Sequence, residues 1–146
     1  MAAKIHEIPA TIIMPEDAPA IKIDNTKDLG AEVILYDRLN ESREDIGKKI
    51  SEENLLSLIP PYDHSHVIAG QGTIGIEIAE QANQYGIEKA EVLVCCGGGG
   101  LTSGIAVALS KLMPNFITRP VEPEGFDDVI RSLDCLLYTS DAADDC

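Results

Sequence analysis

The sequence predicts an α/β protein built from parallel sheets with flanking helices. Three observations carry that prediction. Short aliphatic runs alternate with segments of helical periodicity. No hairpin signal joins two of those runs, so single helices are expected to cross between parallel strands. Apolar residues make up 45% of the chain, aromatics only 4%, and Trp is absent, so the core must be aliphatic, as buried parallel strands require.

Residues 10–14 (ATIIM) read as a buried strand closed by Pro15. Residues 17–29 read as a helix, with Ala18, Ile21 and Thr26 on one side and Gly30 as its stop. Residues 31–36 (AEVILY) form the second strand. Residues 40–53 follow as a helix, with Asn40 or Ser42 as N-cap and Ile46 and Ile50 on its apolar side. Residues 55–59 are the third predicted strand, ended by Pro60 and Pro61. The polar, turn-rich PPYDHSH at 60–66 marks a domain crossing, dividing 1–60 from 61–134. Residues 67–85 then form a long helix with Ile68, Ile74, Ile76 and Ile78 among its apolar positions. Its glycine-rich start, AGQGT, implies close packing or binding there. Residues 90–95 (AEVLVC) are the fourth strand, 101–113 a helix with Leu101, Ile105, Leu109 and Leu112 on one face, and 116–121 the fifth strand. An acidic turn, 122–128, follows it.

The net charge of −14 argues against a nucleic-acid surface, which needs clustered Lys and Arg, and against an anionic membrane. No apolar run approaches the ~18–20 residues that span a bilayer, and residues 1–9 lack a signal-peptide core. Cys95, Cys96, Cys135 and Cys146 show no metal-ligand spacing, so a reducing, cytoplasmic setting is expected. Cys95 and Cys96 end a strand and read as core packing. His64 and His66 read as solvated loop residues, and Glu44, Lys48 and Glu52 as a solvated helix face. Residues 135–145 (CLLYTSDAADD) match, residue for residue, one translated frame of a transposase adapter used in sequencing libraries. Residues 135–146 are therefore expected to be a non-native tail.

The chemistry lies in AEVLVCCGGGGLTSGIAVAL: strand, four glycines, helix. Consecutive glycines let the backbone approach a ligand without Cβ clashes. Their N–H groups can converge on phosphate oxygens, at the positive end of the following helix. Thr102 and Ser103 can add hydroxyl donors. No Lys follows the loop, which disfavours a nucleoside triphosphatase. Nor is it G-x-G-x-x-G with a ribose-binding acid, although Glu122 sits near that distance. A flexible glycine linker would not be flanked by a buried strand and an amphipathic helix.

GGGGLTSGIA resembles the tetraglycine loop of fold-type II pyridoxal-phosphate enzymes, in the serine/threonine dehydratase (threonine ammonia-lyase) and serine racemase branch. Three more segments agree in order: IPATIIMPEDAPAIKIDNTKDLGAEVILYDR (8–38), PPYDHSHVIAGQGTIGIEIAEQ (60–81) and VEPEGFDDVIRSL (121–133). The resemblance covers essentially residues 2–133. It implies the tryptophan-synthase-beta-like fold, with 1–60 part of its small α/β domain and 61–134 part of its large cofactor-binding domain. It implies pyridoxal 5′-phosphate held by Gly97, Gly98, Gly99 and Gly100, with Leu101 beside them. It also implies a divalent cation, Mg²⁺, Mn²⁺ or Ca²⁺, on Glu122, the Phe126 carbonyl and Asp128, with Asp127 able to exchange roles with Asp128. Tyr62 matches a position near the active-site mouth.

The activity implied is β-elimination of L-threonine or L-serine to a 2-oxo acid and ammonia. The alternatives are racemization of serine or dehydration of another hydroxy amino acid, a nucleotide-binding Rossmann module, and an inactive fragment. The family's Schiff-base lysine and its serine–glycine–asparagine motif lie in segments this chain does not contain. Lys4, Lys22, Lys27 and Lys111 do not stand in the lysine's context, so no catalytic residue is assigned and the chain alone is expected to be inactive. The partners expected are a small amino-acid substrate and, for the full-length parent, further copies of itself; no nucleic acid or membrane is expected.

Overall fold

The computed structural model describes residues 1–135. The tail expected at 135–146 lies, apart from the backbone of Cys135, outside the described residues. The chain forms two compact units, Met1–Leu58 and the part from Ile59 onward.

The first unit holds helix α1 (Ala2–Ile5), strand β1 (Thr11–Pro15), helix α2 (Ala20–Asp28), strand β2 (Glu32–Tyr36) and helix α3 (Arg43–Asn54). β1 and β2 pair in parallel, from Thr11 opposite Glu32 to Pro15 opposite Tyr36. Pro15 is the last strand residue rather than the one after it, because a strand's end tolerates a missing N–H. Gly30 ends the α2 turn at φ +86°, a conformation that favours glycine. Ile21, grouped with Ala18 and Thr26 on one side of this helix, is 69% exposed. Ser42 caps α3: its hydroxyl oxygen accepts the Asp45 N–H at 3.2 Å. Asn40, the other cap candidate, instead donates to Asp37 within the preceding turn. Ser42→Ala is expected to cost about 1 kcal/mol, read by urea unfolding.

The strand expected at 55–59 is absent. α3 runs on to Asn54, and Leu55 turns the chain in the left-handed region at φ 53°, ψ 39°. The apolar run that follows pairs with no strand among the described residues, and Leu55 is 93% exposed. Aliphatic residues make a strand only where a neighbour supplies a ladder. The short helix α1 was not legible in the sequence.

The second unit holds helix α4 (Ser65–Gln84), strand β3 (Glu91–Cys95), helix α5 (Gly100–Leu112), strand β4 (Ile117–Val121) and helix α6 (Asp128–Cys135). β3 and β4 pair in parallel, from Glu91 opposite Ile117 to Cys95 opposite Val121. Ile117 donates to Ala90 and Val121 accepts from Cys96, so alternate residues 117, 119 and 121 face β3. Pro120 therefore lies on the outer side of β4, where its missing N–H breaks no ladder bond. Arg119 reaches the Glu91 carboxylate at 2.7 Å and holds it below the usual carboxylate range.

The core of this unit is Ala79, Ala82, Val94, Ile105, Leu109, Met113 and Phe116, with Leu109 fully buried. It is aliphatic apart from Phe116, as the composition predicts. The glycines of AGQGT have a packing role. A Cβ on Gly72 would meet the Gly104 carbonyl oxygen at 3.2 Å, and one on Gly75 would meet the Ala108 Cβ at 2.7 Å. α4 and α5 thus meet almost backbone to backbone. Leu112, grouped by periodicity on one face with Leu101, Ile105 and Leu109, is half exposed, and Met113 is buried. Among the described residues no helix is long and apolar enough to cross a membrane.

Candidate functional site

The site forms where β3 hands over to α5. The Cys96 N–H still belongs to the sheet, donating to the Val121 carbonyl at 2.9 Å. Gly99 takes φ +78° and becomes the N-cap of α5, and the Ser103 N–H closes the first turn on the Gly99 carbonyl at 2.8 Å. No side chain caps α5, in contrast to Ser42 on α3 and His64 on α4. The N–H groups of Gly97, Gly98, Gly99, Gly100, Leu101 and Thr102 have no acceptor among the described residues. Six consecutive unpartnered donors thus lie at the positive end of a 13-residue helix, an arrangement that suits a multiply charged anion.

The four glycines are needed for different reasons. A Cβ on Gly98 would run into the Tyr62 ring, and one on Gly100 would meet the Tyr62 carbonyl oxygen at 3.0 Å. Gly99 needs its positive φ. Gly97 has neither constraint: its φ is not positive and nothing lies within 4 Å of a Cβ placed there. Its open side belongs to a cavity of about 310 Å³, lined by Pro61, Tyr62, Val67, Gln71, Cys95, the four glycines, Leu101 and Thr102. That volume is at the small end of ligand pockets and accommodates a phosphoryl head. Free donors, a bare backbone and open space on the same side fit a cofactor phosphate.

Gly97 to Leu101 are thus brought to one cavity, whereas Glu122, Phe126 and Asp128 do not line it. Gly125 at φ +80°, with the Phe126 N–H donating to the Pro123 carbonyl, makes a turn that leads into α6. Each oxygen of the Glu122 carboxylate accepts one N–H of α6, from Val129 at 3.1 Å and from Ile130 at 2.9 Å. Glu122 is a helix cap here, and the positive helix end it meets opposes a cation. Among the described residues no group of three or more His, Cys, Asp or Glu is placed to hold a metal. The set implied by the resemblance, two carboxylates and a backbone carbonyl, is of another kind, and no step is derived through an ion.

His64 and His66 are exposed, but as the start of α4 rather than a loop: His64 Nδ1 accepts the His66 N–H at 3.2 Å. Cys95, expected in the core, is an exposed free thiol at the cavity rim, and Cys96 is half-buried. The alternation of β3 sends Val94, not Cys95, inward. Lys111 lies in the last turn of α5, at the end away from the loop. That Tyr62 underlies the glycines was not legible in advance, because a contact between residues so far apart in the chain leaves no local pattern. Helix α6 was hidden by its acidic start.

Over residues 1–143 the chain matches the family described as pyridoxal-phosphate dependent enzyme. It is 48% identical over 128 residues to a serine racemase of Schizosaccharomyces pombe, covering 88% of this chain and 38% of that protein. It is 47% identical over 128 residues to an L-threo-3-hydroxyaspartate ammonia-lyase of Saccharomyces cerevisiae, again covering 88% and 38%. The solved structure of a T.th. threonine deaminase superposes with a TM-score of 0.82 at 40% identity, covering 94% of this chain and 44% of that one. The chain spans about two fifths of the length of these relatives. With its parallel α/β architecture and its glycine loop between β3 and α5, this chain belongs to the pyridoxal-phosphate dependent enzymes.

Proposed function

We propose that this chain is the cofactor-phosphate grip of an enzyme that eliminates the β-hydroxyl of L-threonine or L-serine, giving a 2-oxo acid and ammonia. The observation that carries the reading is the run of six unpartnered N–H groups from Gly97 to Thr102 at the start of α5. Bound there, pyridoxal 5′-phosphate would supply an electron sink at the substrate's Cα. The chain's own part is to bind and orient. The Gly97–Thr102 amides hold the phosphate, Gly99 sets the turn that aims them, and Tyr62 backs the loop. A second reading, racemization of serine, is favoured by the 48% identity to a racemase. Dehydration of hydroxyaspartate is supported in the same way. The divalent cation stays outside this proposal, because Glu122 is engaged with α6. A cytoplasmic, homo-oligomeric parent accords with the reading.

The test has two parts. The 146-residue chain is titrated with pyridoxine 5′-phosphate, which lacks the aldehyde that labels stray lysines. Saturable binding, competed by inorganic phosphate and much weaker for pyridoxine itself, is expected. Equal affinity for pyridoxine with and without its ester overturns the grip. A protein carrying these residues at its relatives' length is then given L-threonine, L-serine and L-threo-3-hydroxyaspartate. 2-Oxo acid release indicates the lyase, D-serine the racemase. The chain alone is expected to release neither.

A further inference from the structure

We propose that the Thr102 hydroxyl is a side-chain donor to the same phosphoryl group, a specific ligand added by this chain to the backbone loop. The inference rests on reading the loop as a phosphate grip.

The starting observation is an unmade bond. Thr102 Oγ1 is fully buried and has no hydrogen-bond partner, and it is alone in this among the described residues. Hydroxyls on helices ordinarily satisfy themselves on a carbonyl of the preceding turn, and others in this chain do so. Thr26 donates to Lys22 at 2.7 Å, Thr73 to Gly70 at 2.9 Å and Ser110 to Val107 at 2.9 Å. Thr102 sits in the first turn of α5, where the equivalent carbonyls belong to the glycine loop, yet it uses none of them. A buried hydroxyl left this way is destabilising unless an acceptor arrives from elsewhere.

The place of Thr102 identifies the acceptor. It lines the same cavity as Gly97, Gly98, Gly99 and Gly100. The N–H groups of those loop residues have no acceptor among the described residues. A phosphate monoester dianion offers acceptors only, so the hydroxyl would donate to it as the amides do. The neighbouring Ser103, equally eligible from sequence, is exposed and is the weaker choice. Thr102 thus gives up stability in the free chain for a bond completed only when the anion is bound.

The two states give the experiment opposite signs. Thr102→Val keeps the shape and removes the hydroxyl. In phosphate-free buffer it should melt no lower than the parent chain, since no internal bond is lost. Its affinity for pyridoxine 5′-phosphate should fall on the order of tenfold to a hundredfold, as expected for loss of a hydrogen bond to a charged group. Thr102→Ala should show the same loss and Thr102→Ser should stay within about threefold of the parent. Valine and alanine variants that bind like the parent, while Gly97→Asp does not bind, overturn the hydroxyl's role and leave the loop reading standing. A valine variant that melts lower without phosphate overturns it too, by revealing an internal partner. Failure of the parent chain to bind the ester overturns the loop reading itself, and this inference with it.

Discussion

Gly97→Asp is expected to weaken pyridoxine 5′-phosphate binding by more than about a hundredfold while leaving the melting temperature of the chain nearly unchanged. Both halves come from the geometry. Nothing lies within 4 Å of a Cβ at residue 97, and its φ is not in the left-handed region, so the side chain enters without strain. Residue 97 lines the same cavity as Gly98, Gly99, Gly100, Leu101 and Thr102, whose N–H groups have no acceptor among the described residues. A carboxylate there accepts the bonds intended for the ester and repels its charge. Gly98→Asp, the more obvious choice, is a poor test, because its Cβ would strike the Tyr62 ring whether or not the loop binds anything. Titration calorimetry with parallel thermal melts decides the matter. Parent-like affinity in Gly97→Asp would remove the loop from consideration as a phosphate site, and a large drop in melting temperature would show that residue 97 has a structural duty.

Gly104→Ala is expected to destabilise the second unit by about 3 kcal/mol, lowering its melting temperature by roughly 15 °C. A Cβ at 104 would collide with the Ile68 carbonyl oxygen and lie 2.7 Å from the Gly72 nitrogen. These are backbone atoms of α4, so no rotamer change relieves the clash; the helices must separate, loosening the contact beside Ile105 and Leu109. Alanine's better helix propensity offsets only about 1 kcal/mol of this. Gly70→Ala is the control. It stands in α4 with nothing within 4 Å of its Cβ and should be neutral or slightly stabilising. Thermal melts by far-UV circular dichroism separate the two variants. Equal melting temperatures would mean that α4 and α5 are not packed backbone to backbone.

The parts of this architecture that depend on local pattern were readable in advance. Four of the five strands anticipated are present, because aliphatic runs such as EVILY and EVLVC are bounded by turn residues and have a parallel neighbour. The loop after β3 was readable for the same reason: four glycines between a strand and an amphipathic helix have few structural uses. What stayed hidden depends on contacts between distant residues. Residues 55–59 have the composition of a strand but no ladder, and composition does not report neighbours. The separate duties of Gly97, Gly98, Gly99 and Gly100 follow from where Tyr62 sits and from one dihedral angle. That the Glu122 carboxylate accepts two N–H groups of α6 depends on where that helix starts, which its residue type does not report. Of the two hydroxyls after the loop, burial alone distinguishes Thr102 from Ser103.

The proline in β4 gives the second sheet a direction. An incoming strand that tries to zip onto the far side of β4 meets a gap in the donor row at Pro120. On the opposite flank, residues 91, 93 and 95 turn their amides and carbonyls away from β4, and Leu93 is 69% exposed. Recruitment of any extended segment, native or foreign, is therefore biased toward the β3 flank. In concentrated solution that flank is where the chain should be stickiest, and a lysine at position 93 is the conservative way to keep it dissolved.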